Sequence, residues 1–347
     1  MSYGTAALLR KHDPMLVSPA AIALIIASVL VGTFTLYAAG VGMRIIFQWN
    51  KNSAGEKQLA LERKTYLVST IVSHVMAIEL VSLFMFVAMV DRLHLFFAGA
   101  MCAAGTLNVN AFGYTTLAMK ISSFLLCGIW FIVNYVDNLG YDYPLIRFKY
   151  AFLLVICLML VSECIFQIRY FLGLQPRIIT SCCSVLFGQE GQGIASQMAH
   201  LPAPAMGKIF YAAMGVTLSA GIYFGLTGRY DWLYGILSVA VLPLSLAALI
   251  SCFCLYFYEL PTHHCPFCLL QREYKFAGYF LYAFLLAGAV AGAGMGIIGM
   301  FRGKSSLKDK IPQVQKRLCR ISLLAYGSFS LWVSYPVVFS DFKITGY

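Results

Sequence analysis

Apolar residues along this chain run uninterrupted for twenty or more positions at a time. They show neither the alternation of a strand nor the one-sided stripe of a helix lying on a soluble core. A helix needs about 20 apolar residues to cross the hydrocarbon layer of a membrane. Eight runs reach that length: Ala20–Gln48, Tyr66–Val90, Thr115–Val136, Arg147–Leu172, Gly207–Gly228, Trp232–Leu260, Ala277–Phe301 and Leu318–Phe339. The pattern predicts an all-α, polytopic transmembrane helical bundle of about eight spans, with residues 1–347 forming a single integral membrane domain. A membrane β-barrel is disfavoured, because its strands read as alternating segments of about 10 residues. The first run is too long, and too weakly preceded by charge, for a cleaved secretory signal, and is read as a span.

Composition agrees with the pattern. The 347 residues are 60% apolar and 11% charged, with a mean hydropathy of +0.78, whereas a soluble domain carries about 25% charged residues. An ordinary soluble enzyme and a disordered chain are both excluded. The formal charge of +11 does not signal nucleic acid, because the basic residues sit in short segments between apolar runs; the expected surroundings are membrane lipid. With the N-terminus outside, the inner segments hold 15 of the 25 basic residues, including Arg44, Lys51, Lys57, Arg63, Lys64 and the group from Arg302 to Arg320. The positive-inside rule then predicts both termini to be extracytoplasmic, with the bacterial inner membrane as the default location.

That orientation turns Asp91–Tyr114, Gln175–Met206 and Pro261–Phe276 outward, and these segments hold Cys102, Cys182, Cys183, Cys265 and Cys268. Outward segments meet an oxidising compartment where disulfides persist. The other six of the eleven cysteines (Cys127, Cys157, Cys164, Cys252, Cys254, Cys319) fall in spans, where a thiol is chiefly a small apolar filler.

The densest chemistry lies in Thr262-His263-His264-Cys265-Pro266-Phe267-Cys268-Leu269-Leu270-Gln271-Arg272. Two cysteines three positions apart at the mouth of the seventh span are close enough to form a small disulfide. A helix N-terminus there would stabilise a thiolate. Arg272, four residues after Cys268, is expected about one helical turn further on near the same face, as a fixed cation for the oxygen of an electron acceptor. Covalent haem attachment requires histidine directly after the second cysteine, where Leu269 stands. His263, His264, Cys265 and Cys268 make an alternative metal set, although adjacent histidines rarely point the same way. A static disulfide is the third reading.

Cys265-Pro-Phe-Cys268-Leu-Leu-Gln-Arg272, followed by an apolar span, resembles the first cysteine motif of the bacterial DsbB family. Members of that family are inner-membrane proteins that pass electrons from a periplasmic thiol oxidase to a membrane quinone. The resemblance implies a redox-active centre at Cys265 and Cys268, Arg272 beside a bound quinone as cofactor, and an extracytoplasmic thiol oxidoreductase as partner. The implied activity is that of a membrane thiol–disulfide oxidoreductase in an electron-transport chain. The family has fewer spans and carries its motif after the first; here the motif follows the sixth, and no later outward loop holds a second cysteine pair. The exchanging sulfur would have to come from Cys102, Cys182 or Cys183.

Other residues keep rival readings open. Adjacent Cys182 and Cys183 bond to each other only with strain, so each pairs elsewhere, both grip a soft metal, or both are ordinary loop thiols. Met101-Cys102 sits in a turning or re-entrant segment with Gly105, Asn108 and Asn110. A soft-metal (copper or mercury) transporter would use the same thiols with His263, His264, Met101 and His200. A membrane anchor subunit of a respiratory complex is a third class. Within the spans, Glu79 and Glu163 suggest a proton or ion path, or hydrogen-bonded acids. His74 is a weak haem-ligand candidate, and Lys120 is expected to snorkel. Gly288, Gly292 and Gly296 form a small-residue stripe suited to close helix packing.

Overall fold

The computed structural model describes residues 19–49, 55–175, 180, 187 and 194–343. The long helices are α1 (Pro19–Gln48), α2 (Glu56–Leu93), α3 (Phe112–Leu139), α4 (Ile146–Leu172), α5 (Ala203–Thr227), α6 (Asp231–Ala248), α7 (Ala277–Gly299) and α8 (Lys310–Phe339). A π turn at Leu249–Phe253 and a short helix at Cys254–Tyr258 continue α6. No strand occurs among the described residues, and eight of their helical segments are long and apolar enough to cross a membrane. The chain is therefore an all-α polytopic bundle.

The helices outrun the apolar stretches that announce them. Before Tyr66, α2 carries a polar stretch from Glu56 to Thr65, and α8 starts at Lys310, well ahead of Leu318. Lysine, arginine, glutamate and glutamine are good helix formers, so the backbone continues its hydrogen bonding past the end of the greasy run. Helix α5 stops at Gly228, whose φ of +69° is left-handed and whose N–H reaches the Phe224 carbonyl at 2.7 Å. Glycine takes that C-terminal position without steric cost.

The described residues fall into two compact units. The first lies within 1–127 and 150–182. In it Gly42 lets the Tyr150 ring lie against α1; a Cβ there would stand 2.9 Å from the ring. The Tyr150 hydroxyl donates to the Thr65 carbonyl at 3.3 Å, joining α4 to α2. The Gln167 amide donates to the Leu24 carbonyl at 3.1 Å and to Ser28 Oγ at 2.9 Å, joining α4 to α1. Between α2 and α3 a buried short helix, Ala103–Leu107, follows Cys102.

The second unit lies within 128–149 and 183–347. Its centre is the close packing of α6, α7 and α8. A Cβ on Gly292 would stand 2.1 Å from Ser238 Oγ, one on Gly296 3.1 Å from the Gly235 backbone, and one on Gly288 2.8 Å from the Tyr326 ring. The expected stripe is thus a packing face. Hydroxyls cross the same seam: Tyr234 donates to Ser322 Oγ at 2.8 Å, Ser322 to the Gly288 carbonyl at 2.8 Å, and Tyr326 to the Ser238 carbonyl at 2.6 Å. At one end of this seam Arg302 donates to Gln315 Oε1 (2.6 and 2.9 Å), and Gln315 donates to Asp231 Oδ2 (2.8 Å).

Candidate functional site

The cysteine loop is shaped by the way α6 ends. A π turn closes i→i+5 bonds and so displaces carbonyls from their usual partners. Here the Ile250 carbonyl accepts a hydrogen bond from His264 Nδ1 at 2.9 Å. The short helix that follows stops at Glu259, which has a positive φ of 53°. Just before that stop, Tyr258 supports the loop. Its ring takes His263 edge-on at 4.4 Å and Tyr274 at 4.7 Å, and its hydroxyl donates to the Cys265 carbonyl at 2.6 Å. From α7, Tyr282 donates to the Pro266 carbonyl at 2.8 Å. Two phenols therefore hold successive carbonyls of the cysteine motif.

Between the cysteines, Pro266 and Phe267 occupy a turn, with Phe267 at φ −82° and ψ −26°. Proline is well suited to enter such a turn because its φ is already set. The Sγ atoms of Cys265 and Cys268 lie within 4.8 Å of one another. Cys265 is 0% exposed and Cys268 6%. No disulfide joins two cysteines among the described residues.

Three expectations are corrected here. The motif does not sit at the mouth of a helix: Cys268–Leu270 is a single 3₁₀ turn, and α7 begins only at Ala277, after left-handed Lys275 and Phe276. No helix dipole of consequence therefore acts on either sulfur. Arg272 is not one turn beyond Cys268 on a shared face. Gln271 is extended (ψ 161°), so Arg272 starts a separate 3₁₀ turn and is exposed. His263 and His264 do not complete a four-ligand set, since among the described residues neither joins both sulfurs within 4.8 Å. The first is engaged by Tyr258 and the second by Ile250.

The electrostatics of the loop follow its burial. Desolvation holds His264 below the ordinary histidine range, against the hydrogen bond to Ile250, with His200 adding to the lowering. Desolvation, then the Cys268 thiol and the Glu273 carboxylate, raise Tyr274. Both side chains are accordingly uncharged at neutral pH.

Cys102 belongs to the first unit, buried at the head of the Ala103–Leu107 helix. The carbonyls at the end of that helix are capped by side chains: Ala104 by Tyr114 (3.3 Å), Gly105 by Thr180 (2.8 Å) and Thr106 by Tyr170 (3.2 Å). Cys182 and Cys183 lie outside the described residues. Met101 is exposed, and His200 is bonded through Nδ1 to the Ser196 carbonyl at 2.6 Å.

The first unit also holds a charged cluster. Lys120 does not snorkel; it is 0% exposed. Its ammonium donates to Glu163 Oε1 at 2.6 Å, to Ser82 Oγ at 2.7 Å and to Glu79 Oε1 at 3.4 Å. A lysine snorkels only when no counter-charge lies closer than the interface, and here two carboxyls do. His74 is exposed on α2, with Nδ1 on the Thr70 carbonyl at 2.8 Å. The clamping phenols Tyr258 and Tyr282 escape a sequence reading, because tyrosines near span ends pass for the ordinary interfacial belt.

Comparison with known proteins yields no matching family model, no matching curated protein and no matching solved structure.

Proposed function

We propose that this protein is a membrane thiol–disulfide oxidoreductase whose working pair is Cys265 and Cys268. The observation that carries the reading is the proximity of their sulfurs, within 4.8 Å across a proline turn braced by two tyrosines. A turn fixed in this way keeps the thiols ready to close at little conformational cost. In the oxidised state, a thiolate of a substrate dithiol attacks one sulfur of the pair and the other leaves as a thiol. The second substrate thiolate then resolves the mixed disulfide. The substrate leaves as a disulfide, and the pair has gained two electrons and two protons. A bound membrane quinone would supply the two-electron, two-proton oxidation that restores the bond. Cys268, the less buried of the two residues, is the one a substrate reaches first. Exposed Arg272 on the same loop offers a cation to the quinone oxygen. The charge bias supports an extracytoplasmic loop, and in a bacterial inner membrane the natural substrate there is a soluble thiol oxidoreductase.

Thiol trapping followed by mass measurement tests the reading. In quinone-replete membranes the peptide pair should lose two hydrogens, and regain them when the quinone pool is reduced. Cys265→Ser and Cys268→Ser should each abolish oxidation of an added dithiol, because neither variant can form the disulfide that accepts its electrons. A pair that stays as thiols, with both variants oxidising the dithiol at the wild-type rate, overturns it. The same two sulfurs, without a completing histidine, also suit a two-coordinate soft metal such as copper(I). Stoichiometric copper retained by purified protein and lost in Cys265→Ser would favour that second reading.

A further inference from the structure

We propose that Glu79, Lys120 and Glu163 form a proton-exchange site within the first unit, the two carboxyls sharing one mobile proton around a fixed ammonium. This reading is independent of the cysteine pair. Helices α2, α3 and α4 each contribute one ionisable side chain, all three buried. Lysine has three N–H donors, and here Glu163, Ser82 and Glu79 accept from them at 2.6, 2.7 and 3.4 Å. The Phe86 ring flanks the ammonium at 5.8 Å. Lys120 is thus fully engaged as a cation. One ammonium balances one carboxylate, and an unbalanced second charge in hydrocarbon is relieved by taking up a proton. The arrangement therefore calls for one proton distributed over two acids.

A second observation shows where that proton can move. Glu163 Oε2 is buried and has no hydrogen-bond partner, and the same holds for Ser123 Oγ and Gln167 Oε1. Ser123 lies three residues beyond Lys120 on α3, and Gln167 four beyond Glu163 on α4, so each continues the face of its charged neighbour. The Gln167 amide nitrogen is already committed to Leu24 and Ser28, which leaves its oxygen as an acceptor. Buried acceptors lacking donors are positions where a proton or a proton-carrying water binds. The other titratable groups that sense this charge are the thiols of Cys127 on α3 and Cys164 on α4. From α1 the cluster receives the Ser28 hydroxyl and the Leu24 carbonyl through Gln167, while Arg44 and Tyr37 are exposed.

Infrared absorption of the full-length protein in lipid vesicles near neutral pH reads this site directly. The expected wild-type spectrum contains one protonated-carboxyl C=O band per chain, shifting on transfer to D₂O. Glu79→Gln and Glu163→Gln each leave one acid against one base and should lose the band; Lys120→Met should double it. A wild-type protein without the band, a band indifferent to D₂O, or a band unchanged in the variants overturns the proposal. If the variants fail to assemble, the wild-type band and its D₂O shift decide.

Discussion

His264 enters the folded loop as a neutral ring, since burial disfavours its charged form. The unfolded chain takes up a proton near pH 6.5 and the folded chain only at lower pH. The stability from this residue is therefore complete above about pH 6.5 and declines as pH falls toward the folded value. The melting temperature of purified protein should drop on acidification through that window, with a shallower drop in His264→Gln. The Tyr258 hydroxyl donates to the Cys265 carbonyl, a bond that phenylalanine lacks. Tyr258→Phe should cost about 0.5–1.5 kcal/mol and raise the rate at which an alkylating reagent modifies Cys268. At the charged cluster, Glu163 is the close partner of Lys120 at 2.6 Å and Glu79 the distant one at 3.4 Å. Removing one member of a buried pair typically costs about 3–5 kcal/mol. Either acid left behind still balances Lys120, so Glu163→Leu should stay below that range and Glu79→Leu lower still, as measured by thermal unfolding in detergent.

Helices were the most legible part of this chain, because a bilayer forces each apolar run to satisfy its own backbone. Their ends were less so: the turns at Glu56–Thr65 and Lys310–Arg317 are helical but are too rich in charged and polar residues to extend the apolar runs. The glycine stripe was legible too. Gly292 meets Ser238 at a distance that admits no methyl group, so Gly292→Ala should cost about 1–3 kcal/mol. Gly327 on α8 has nothing within 4 Å of an added Cβ, and Gly327→Ala should leave stability unchanged or raise it by about 0.5–1 kcal/mol. Thermal unfolding of the two variants side by side checks the contrast. The site was only half legible. Spacing placed the two sulfurs near one another, but it could not reveal that Gln271 adopts an extended backbone and parts Arg272 from Cys268. Nor could local sequence show that Glu79 and Glu163 converge on Lys120, a meeting of residues more than forty positions apart.

Across the whole molecule, a single helix connects the cysteine loop to the basic segment Arg302–Lys310, because α7 runs from Ala277 to Gly299 between them. Whatever the orientation, these two segments face opposite sides of the bilayer. Under the proposed function the cysteine loop lies outside, as the positive-inside rule predicts. In right-side-out vesicles an impermeant maleimide should label Thr262→Cys directly and Lys304→Cys only after lysis; the reverse order would invert the topology. The bulge at Leu249–Phe253 carries a further consequence for the same region. A π turn holds one residue more than regular winding requires. Deleting one residue there would let the segment rewind as an ordinary helix while everything after it kept its facing, because the bulge already absorbs the extra residue. The Tyr258 phenol would stay beside the Cys265 carbonyl, and the carbonyl displaced toward His264 would return to the helix. Such a deletion should yield a protein that inserts normally and keeps the tyrosine brace but has lost the histidine anchor of its loop, which makes the two supports separable by one codon.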